Sequence, residues 1–246
     1  MAAAILWSSL ATGTLLVGMV LAYRGIVSLR WTGLVMAFGA GAIVSAVAYQ
    51  LILPAAISDR SADLEVGVAI FAGALTFYFA DRWVDSLGGE KRLSFQGGQA
   101  EGSGTAILLG SMLDGVPESV VLGLSLAHSP EVSLAFIFAV AISNIPQGLG
   151  GTAGMLTAGW PKSRITWLWI AVCVLSVVAA VLGYAIGVLV PSATGAGFDA
   201  FAAGALLVML TDSMIPESFQ HGGREAGLAL VFGFSIAVGV ALLEAG

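Results

Sequence analysis

The sequence predicts an all-α polytopic membrane protein with eight transmembrane helices, and three observations carry that reading. Hydrophobic residues make up 58% of the 246 and charged residues 10%, with a mean hydropathy of +0.98, so there is far too little polar surface to coat a soluble globule. Apolar runs of about 20 residues, the length that crosses a bilayer core, recur along the whole chain. The basic residues between those runs fall almost entirely on alternate loops.

The predicted spans lie at about 4–23, 32–56, 64–82, 105–127, 131–157, 165–190, 198–219 and 225–244, and form one transmembrane domain over 1–246. The first opens on Met1-Ala2-Ala3-Ala4-Ile5, which lacks the basic start of a cleaved signal, so it is expected to be retained. The second holds Gln50 near Pro54, and the third is the shortest. The fourth and fifth each carry polar residues and a proline at their centres. A short His128-Ser129-Pro130 connection joins them and predicts antiparallel neighbours whose midpoints meet at one depth. The sixth is the most uniformly apolar. Small-residue pairs, Gly150-x-x-x-Gly154 and Gly183-x-x-x-Gly187, predict close helix packing. The long connection, the cytoplasmic loop 83–104, reads as a flexible linker from its Gly88-Gly89-Glu90-Lys91-Arg92 and Gln96-Gly97-Gly98-Gln99 stretches.

Eight of the nine basic residues fall in odd-numbered loops: Arg24 and Arg30, Arg82, Lys91 and Arg92, Lys162 and Arg164, and Arg224. Only Arg60 lies on the other side, beside Asp59, Asp63 and Glu65 in a mildly acidic lip. The positive-inside rule then puts both termini outside. Trp31, Trp83, Trp160, Trp167 and Trp169 fall near the cytoplasmic ends, as an aromatic belt would. A cell membrane, plasma or inner, is the expected location and the lipid bilayer the first partner.

The chemistry is concentrated in the fourth span, at Leu113-Asp114-Gly115-Val116-Pro117-Glu118-Ser119. Two carboxylates four residues apart share one helix face. Each costs roughly 2.5–3.5 kcal/mol at the centre of a bilayer, so a cation, a proton or water must compensate them. Pro117 has no N–H to offer the Leu113 carbonyl, which adds an exposed backbone oxygen. An oxygen-lined seat for a positive ion results. The fifth span repeats the spacing as Ser143-Asn144-Ile145-Pro146-Gln147-Gly148, with Asp114 aligned to Ser143, Pro117 to Pro146 and Glu118 to Gln147. Ser143, Asn144 and Gln147 suit either ion coordination or hydrogen bonding between helices.

The second and seventh spans echo one another more faintly. Gly39-Ala40-Gly41-Ala42 leads to Pro54, and Ala202-Ala203-Gly204-Ala205 leads to Pro216, as an inverted-repeat transporter would show. Asp212 is a candidate pathway residue. Gln50 suits an entry lining or an interhelical bond, and Glu217 an exit ligand or a solvated acid. His128 and His221 stand at span ends and read as interfacial.

Asp-Gly-Val-Pro-Glu-Ser and Ser-Asn-Ile-Pro-Gln-Gly resemble the paired span-four and span-five signatures of the ZIP (ZRT/IRT-like) metal transporters, His-Asn-x-Pro-Glu-Gly and His/Gln-Asp/Glu-x-x-Glu-Gly. Ala203-Gly204-Ala205 through Asp212 to Ile215-Pro216-Glu217-Ser218 resembles that family's seventh span, and Phe38-Gly39-Ala40-Gly41-Ala42 its second. The resemblance implies a bundle of three spans on either side of a central pair, an inverted repeat, with a homodimer as the common assembly. It also implies transport of divalent metal ions of the zinc, manganese, iron and cadmium class, with no resident cofactor. Asp114, Glu118, Ser143, Asn144 and Gln147 then stand at the metal-ligand positions. Asp114 replaces a histidine, Gly115 an asparagine and Gln147 a glutamate, and the sixth span offers no acid. Two negative charges balance one divalent ion, not two. An all-oxygen set leans toward harder ions than zinc.

Other classes fare worse. His-Glu-x-x-His, Gly-x-Ser-Gly and Gly-x-Gly-Asp patterns are absent, which argues against an intramembrane enzyme. A formal net charge of −6 invites no nucleic acid, and the single cysteine, Cys173, excludes an intrachain disulfide. A ZIP-like protein that has lost transport and serves as a binding or regulatory partner is the alternative that Gly115 and Gln147 motivate.

Overall fold

A computed structural model describes residues 1–26, 28–58, 63–86, 104–128, 134–189 and 192–244. Most of the 83–104 linker, Asp59, Arg60 and the 129–133 connection lie outside the described residues, as does the side chain of His128. Every regular element among the described residues is helical.

The first helix, α1 (Ala2–Arg24), stops at Gly25, whose φ of 62° turns the chain into the left-handed region while its N–H donates to the Ala22 carbonyl. Ser28 caps the next helix, α2 (Leu29–Ala46), by accepting from the Trp31 N–H. A π-helical turn, Val47–Ile52, then leads into α3 (Leu53–Ser58). The chain continues through α4 (Asp63–Val84), α5 (Gly104–His128), α6 (Leu134–Thr157) and α7 (Lys162–Leu189). It ends with α8 (Ser192–Met209), a second π turn at Leu210–Met214, α9 (Ile215–Gly222) and α10 (Glu225–Glu244). Trp83 and Val84 are helical rather than part of the linker.

Both π turns have the same cause. Pro54 lies four residues after Gln50, and Pro216 four residues after Asp212. Each ring would strike the carbonyl four residues back, and neither nitrogen can donate to it. Widening the helix relieves that conflict, so the Leu53 N–H reaches back to Ala48 and the Ile215 N–H to Leu210.

Six helical stretches among the described residues are long and apolar enough to cross a membrane: Ala2–Arg24, Leu29–Ile57, Leu64–Val84, Lys162–Leu189, Ala196–Gly222 and Glu225–Leu243. The helices with the central polar motifs, α5 and α6, have 25 and 24 residues. At 1.5 Å per residue they are about 36–38 Å long, more than a hydrocarbon core of about 30 Å. The Leu29–Ile57 stretch is 61% buried and Glu225–Leu243 only 17%, so the second stretch is central and α10 peripheral. Leu228, Val231 and Phe232 on α10, and Leu64, Val68 and Phe71 on α4, face outward as a lipid-facing surface requires.

Four helix pairs make the frame: α1 with α6, α5 with α7, α2 with α10, and α4 with α8. Glycines let their backbones touch, and they do so reciprocally. A Cβ on Gly18 would overlap the Ile145 carbonyl, and one on Gly148 the Leu15 carbonyl. The α5–α7 pair repeats this, with Gly183 against Val120 and Gly123 against Ala180. Likewise Gly41 meets Leu230 and Gly233 meets Phe38, while Gly204 meets Ile70 and Gly73 meets Phe201. Each of these glycine contacts between α1 and α6 or between α2 and α10 thus has a counterpart between α7 and α5 or between α8 and α4.

One end of the bundle is fastened by polar contacts. The Tyr23 hydroxyl donates to the Lys162 carbonyl (2.8 Å), and the Lys162 ammonium lies 5.1 Å from the centre of the Tyr23 ring. Arg164 stacks 3.8 Å over Trp160, and Arg30 pairs with Glu225 at 2.9 Å. The first, fifth and seventh connections therefore meet at the same end. Trp31, Trp83 and Trp167 are exposed, as a belt predicts. Trp169 is not part of it: the ring is buried and its Nε1–H donates to Thr152 Oγ1 (2.8 Å), because its helix face turns toward α6.

The expected pairing of the fourth and fifth spans is corrected. Helices α5 and α6 touch only slightly, since α5 packs along α7 while α6 packs along α1 and α2. The glycine contacts also set a different register. Gly123 corresponds to Gly148 and Val120 to Ile145, which makes Glu118 the counterpart of Ser143 and Ser119 that of Asn144, one helical turn from the alignment by proline motif.

Candidate metal-ion site

Every residue expected to hold an ion is buried: Asp114, Glu118, Ser143, Asn144 and Gln147. The two helices use these residues differently. On α5, Asp114 and Glu118 share a face by their four-residue spacing, and both Glu118 carboxyl oxygens are enclosed with no hydrogen-bond partner. A bare carboxylate in such a place costs several kcal/mol, so its charged form requires a positive companion.

On α6 the polar groups are engaged by the protein. Ser143 Oγ donates to the Val140 carbonyl of its own helix (2.9 Å). Asn144 Nδ2 donates across to the Ala11 carbonyl of α1 (3.0 Å). Gln147 Nε2 points at Met214 Sδ (3.6 Å) in the second π turn. The backbone of Ser143 also lies directly against Gly39 of α2, where any side chain would collide. The Ser143 hydroxyl and one N–H of each amide are thereby engaged, while the acceptor oxygens of Asn144 and Gln147 stay chemically suited to a cation.

Helix α7 contributes a group that the sequence reading missed. Ser176 is buried, its Oγ has no hydrogen-bond partner, and a Cβ on Gly115 would lie 3.2 Å from that oxygen. Gly115 and Glu118 are three residues apart on α5, so this hydroxyl adjoins the acidic face. The available signal was Ser176 itself, a polar residue on the stripe Trp169, Val172, Ser176, Ala180 and Gly183 that α7 buries. Ser8 on α1 is a second enclosed hydroxyl without a partner. Among the described residues no group of three or more His, Cys, Asp or Glu side chains gathers as a metal-binding cluster.

The pathway candidates are spread along the second and seventh spans. Gln50 is in the first π turn and partly buried, whereas Asp212 is in the second and exposed. Glu217 is mostly covered, with its Oε1 3.8 Å from His221 Nε2 one turn further along α9.

No model of a known protein family matches the chain. A curated protein of Myxococcus xanthus named zinc transporter GufA is 29% identical to it over 205 residues, covering 77% of this chain and 78% of that protein. Over about three quarters of its length, 77%, the chain is thus similar to a protein named as a zinc transporter.

Proposed function

We propose that the protein carries divalent metal cations across a cell membrane, with Asp114 and Glu118 as the main ligands of a single mid-membrane ion. The observation that carries this reading is Glu118, a carboxyl group enclosed in a helical bundle with neither oxygen hydrogen-bonded. A mobile cation supplies the compensation that the surrounding side chains do not. Asp114 adds the second negative charge on the same face, and Asn144, Gln147 and Ser143 offer neutral oxygens from α6. The Ser176 hydroxyl supplies one from α7. Such donors favour manganese, iron or magnesium over zinc, with an affinity modest enough for release.

In this reading the protein has eight spans arranged as an inverted repeat about α5 and α6. The reciprocal glycine contacts and the paired π turns support that symmetry. The basic end of the bundle faces the cytoplasm and both termini face outside. Gln50 lines the entry, Asp212 and Glu217 the exit, and the carrier works as a homodimer in the plasma or inner membrane. Metal transport at the family level is also what the relative's name supports.

Manganese and zinc flux into proteoliposomes tests the proposal. Asp114→Ala and Glu118→Gln are expected to abolish it, and undiminished flux in either variant removes that residue from the mechanism. The reading without transport draws on Asn144 and Gln147, whose amides are committed to Ala11 and Met214. It predicts no flux of any divalent ion in the natural protein and a gain of flux in Gln147→Glu.

A further inference from the structure

A second pair of metal-capable side chains lies away from the acidic face of α5. Glu217 and His221 occupy successive turns of α9, and their side chains are only 14% and 8% exposed although the helix ends at a loop. Packing holds them there. Gly33 of α2 lets the α9 backbone come within contact at Ser218 and Gly222, so the last turn of α9 is clamped against α2. Arg30, at the same end, is taken up by Glu225.

The separation of the two donor atoms suits a shared ion. Zinc bound tetrahedrally at 2.0–2.2 Å from nitrogen and oxygen holds its ligand atoms about 3.3–3.5 Å apart. Glu217 Oε1 and His221 Nε2 are 3.8 Å apart, so a small side-chain rotation closes the pair on a cation. Side chains four residues apart share one helix face and can reach the same metal, as the two histidines of a His-Glu-x-x-His helix do. With two protein ligands and water completing the shell, the site would bind weakly and exchange readily.

We propose that Glu217 and His221 form a second cation station at this end of the seventh span, selective for borderline transition-metal ions such as Zn²⁺. His221 is the only histidine side chain among the described residues, and it gives this station an imidazole donor. It rests on the carrier reading for its place in a pathway, but its binding can be measured without flux. An all-oxygen seat followed by a nitrogen-containing one makes ion preference a property of two places rather than one.

Zinc binding is measured by calorimetry on the full-length detergent-solubilised protein carrying Glu118→Gln, which removes the membrane-centre charge. A zinc site is expected to remain, and adding His221→Ala or Glu217→Gln should weaken it at least about tenfold. Manganese binding should change much less. In liposomes, His221→Ala should lower the zinc-to-manganese flux ratio, and His221→Asn, closer in size, guards against loss of folding. Zinc binding that is absent in the Glu118→Gln protein, or indifferent to both residues of the pair, overturns the inference. Zinc binding that depends on His221 in a protein with no flux supports the station and instead removes the carrier.

Discussion

Helices α5 and α6 carry the same polar-x-x-Pro-polar pattern and stand at equivalent places in the bundle, yet they treat their polar groups in opposite ways. On α6, Asn144 donates to Ala11, Gln147 to Met214 and Ser143 to its own helix. On α5, Glu118 is enclosed with neither oxygen bonded. Burial is equal, so burial does not account for the difference. What separates them is where the compensation comes from. A neutral amide settles with a backbone carbonyl, whereas a carboxylate in the same setting needs a counter-charge.

The comparison breaks first, and hardest, at the glycines, where the helices are alike. Gly123 and Gly148 make equivalent backbone contacts with α7 and α1. Gly123→Leu and Gly148→Leu should each cost more than about 3 kcal/mol, because no side-chain rotation can move a backbone carbonyl aside. Loss of the monodisperse peak in size-exclusion chromatography is the expected result for both. A well-folded Gly148→Leu beside a collapsed Gly123→Leu would contradict the equivalence.

At Glu118 and Asn144 the helices should part. Glu118→Gln is expected to reduce divalent flux by more than about tenfold while leaving the protein as stable as before or more so, since a buried unpaired charge is removed. Asn144→Ala should do the reverse, costing about 0.5–1.5 kcal/mol by removing its bond to the Ala11 carbonyl, which still accepts from Thr14 Oγ1, with flux per folded molecule largely kept. Flux assays paired with thermal unfolding in detergent read both quantities. If Asn144→Ala abolishes flux at unchanged stability, α6 is a working helix too.

Much of this was legible in the chain. Runs of apolar residues marked where the helices lie, whereas Pro54 and Pro216 were read only as signs of a repeat and the structure shows that they widen two helices. The acid pair was visible as charge in an apolar run, a signal that needs no tertiary context. Helix partners were not legible. A three-residue connection suggested that α5 and α6 pack together, but glycines 18, 123, 148 and 183 decide which backbones can touch, and they direct α5 to α7 and α6 to α1. Trp169 looked interfacial from its place in the sequence, and only the rotation of α7 shows it buried against Thr152. Ser176 was hidden for the related reason that one hydroxyl in an apolar span says nothing about which helix it faces.

The smallest expected effect sits at that last contact, between Gly115 and Ser176. Replacing a helix-interior glycine by alanine gains up to about 1 kcal/mol from reduced backbone freedom. Against that, the new Cβ of Gly115→Ala would lie 3.2 Å from Ser176 Oγ, a few tenths of an ångström too close. The two effects nearly cancel, so Gly115→Ala should shift stability by less than about 0.5 kcal/mol. Ser176→Ala removes the crowding oxygen and also a buried hydroxyl that has no partner. The double variant should therefore exceed the sum of the single changes by about 0.5–1 kcal/mol, the coupling that two touching residues show in a double-mutant cycle. Simple additivity would mean that the hydroxyl is not aimed at α5. In that case Glu118 loses its neighbour on α7, and the contrast with the fully engaged α6 becomes sharper still.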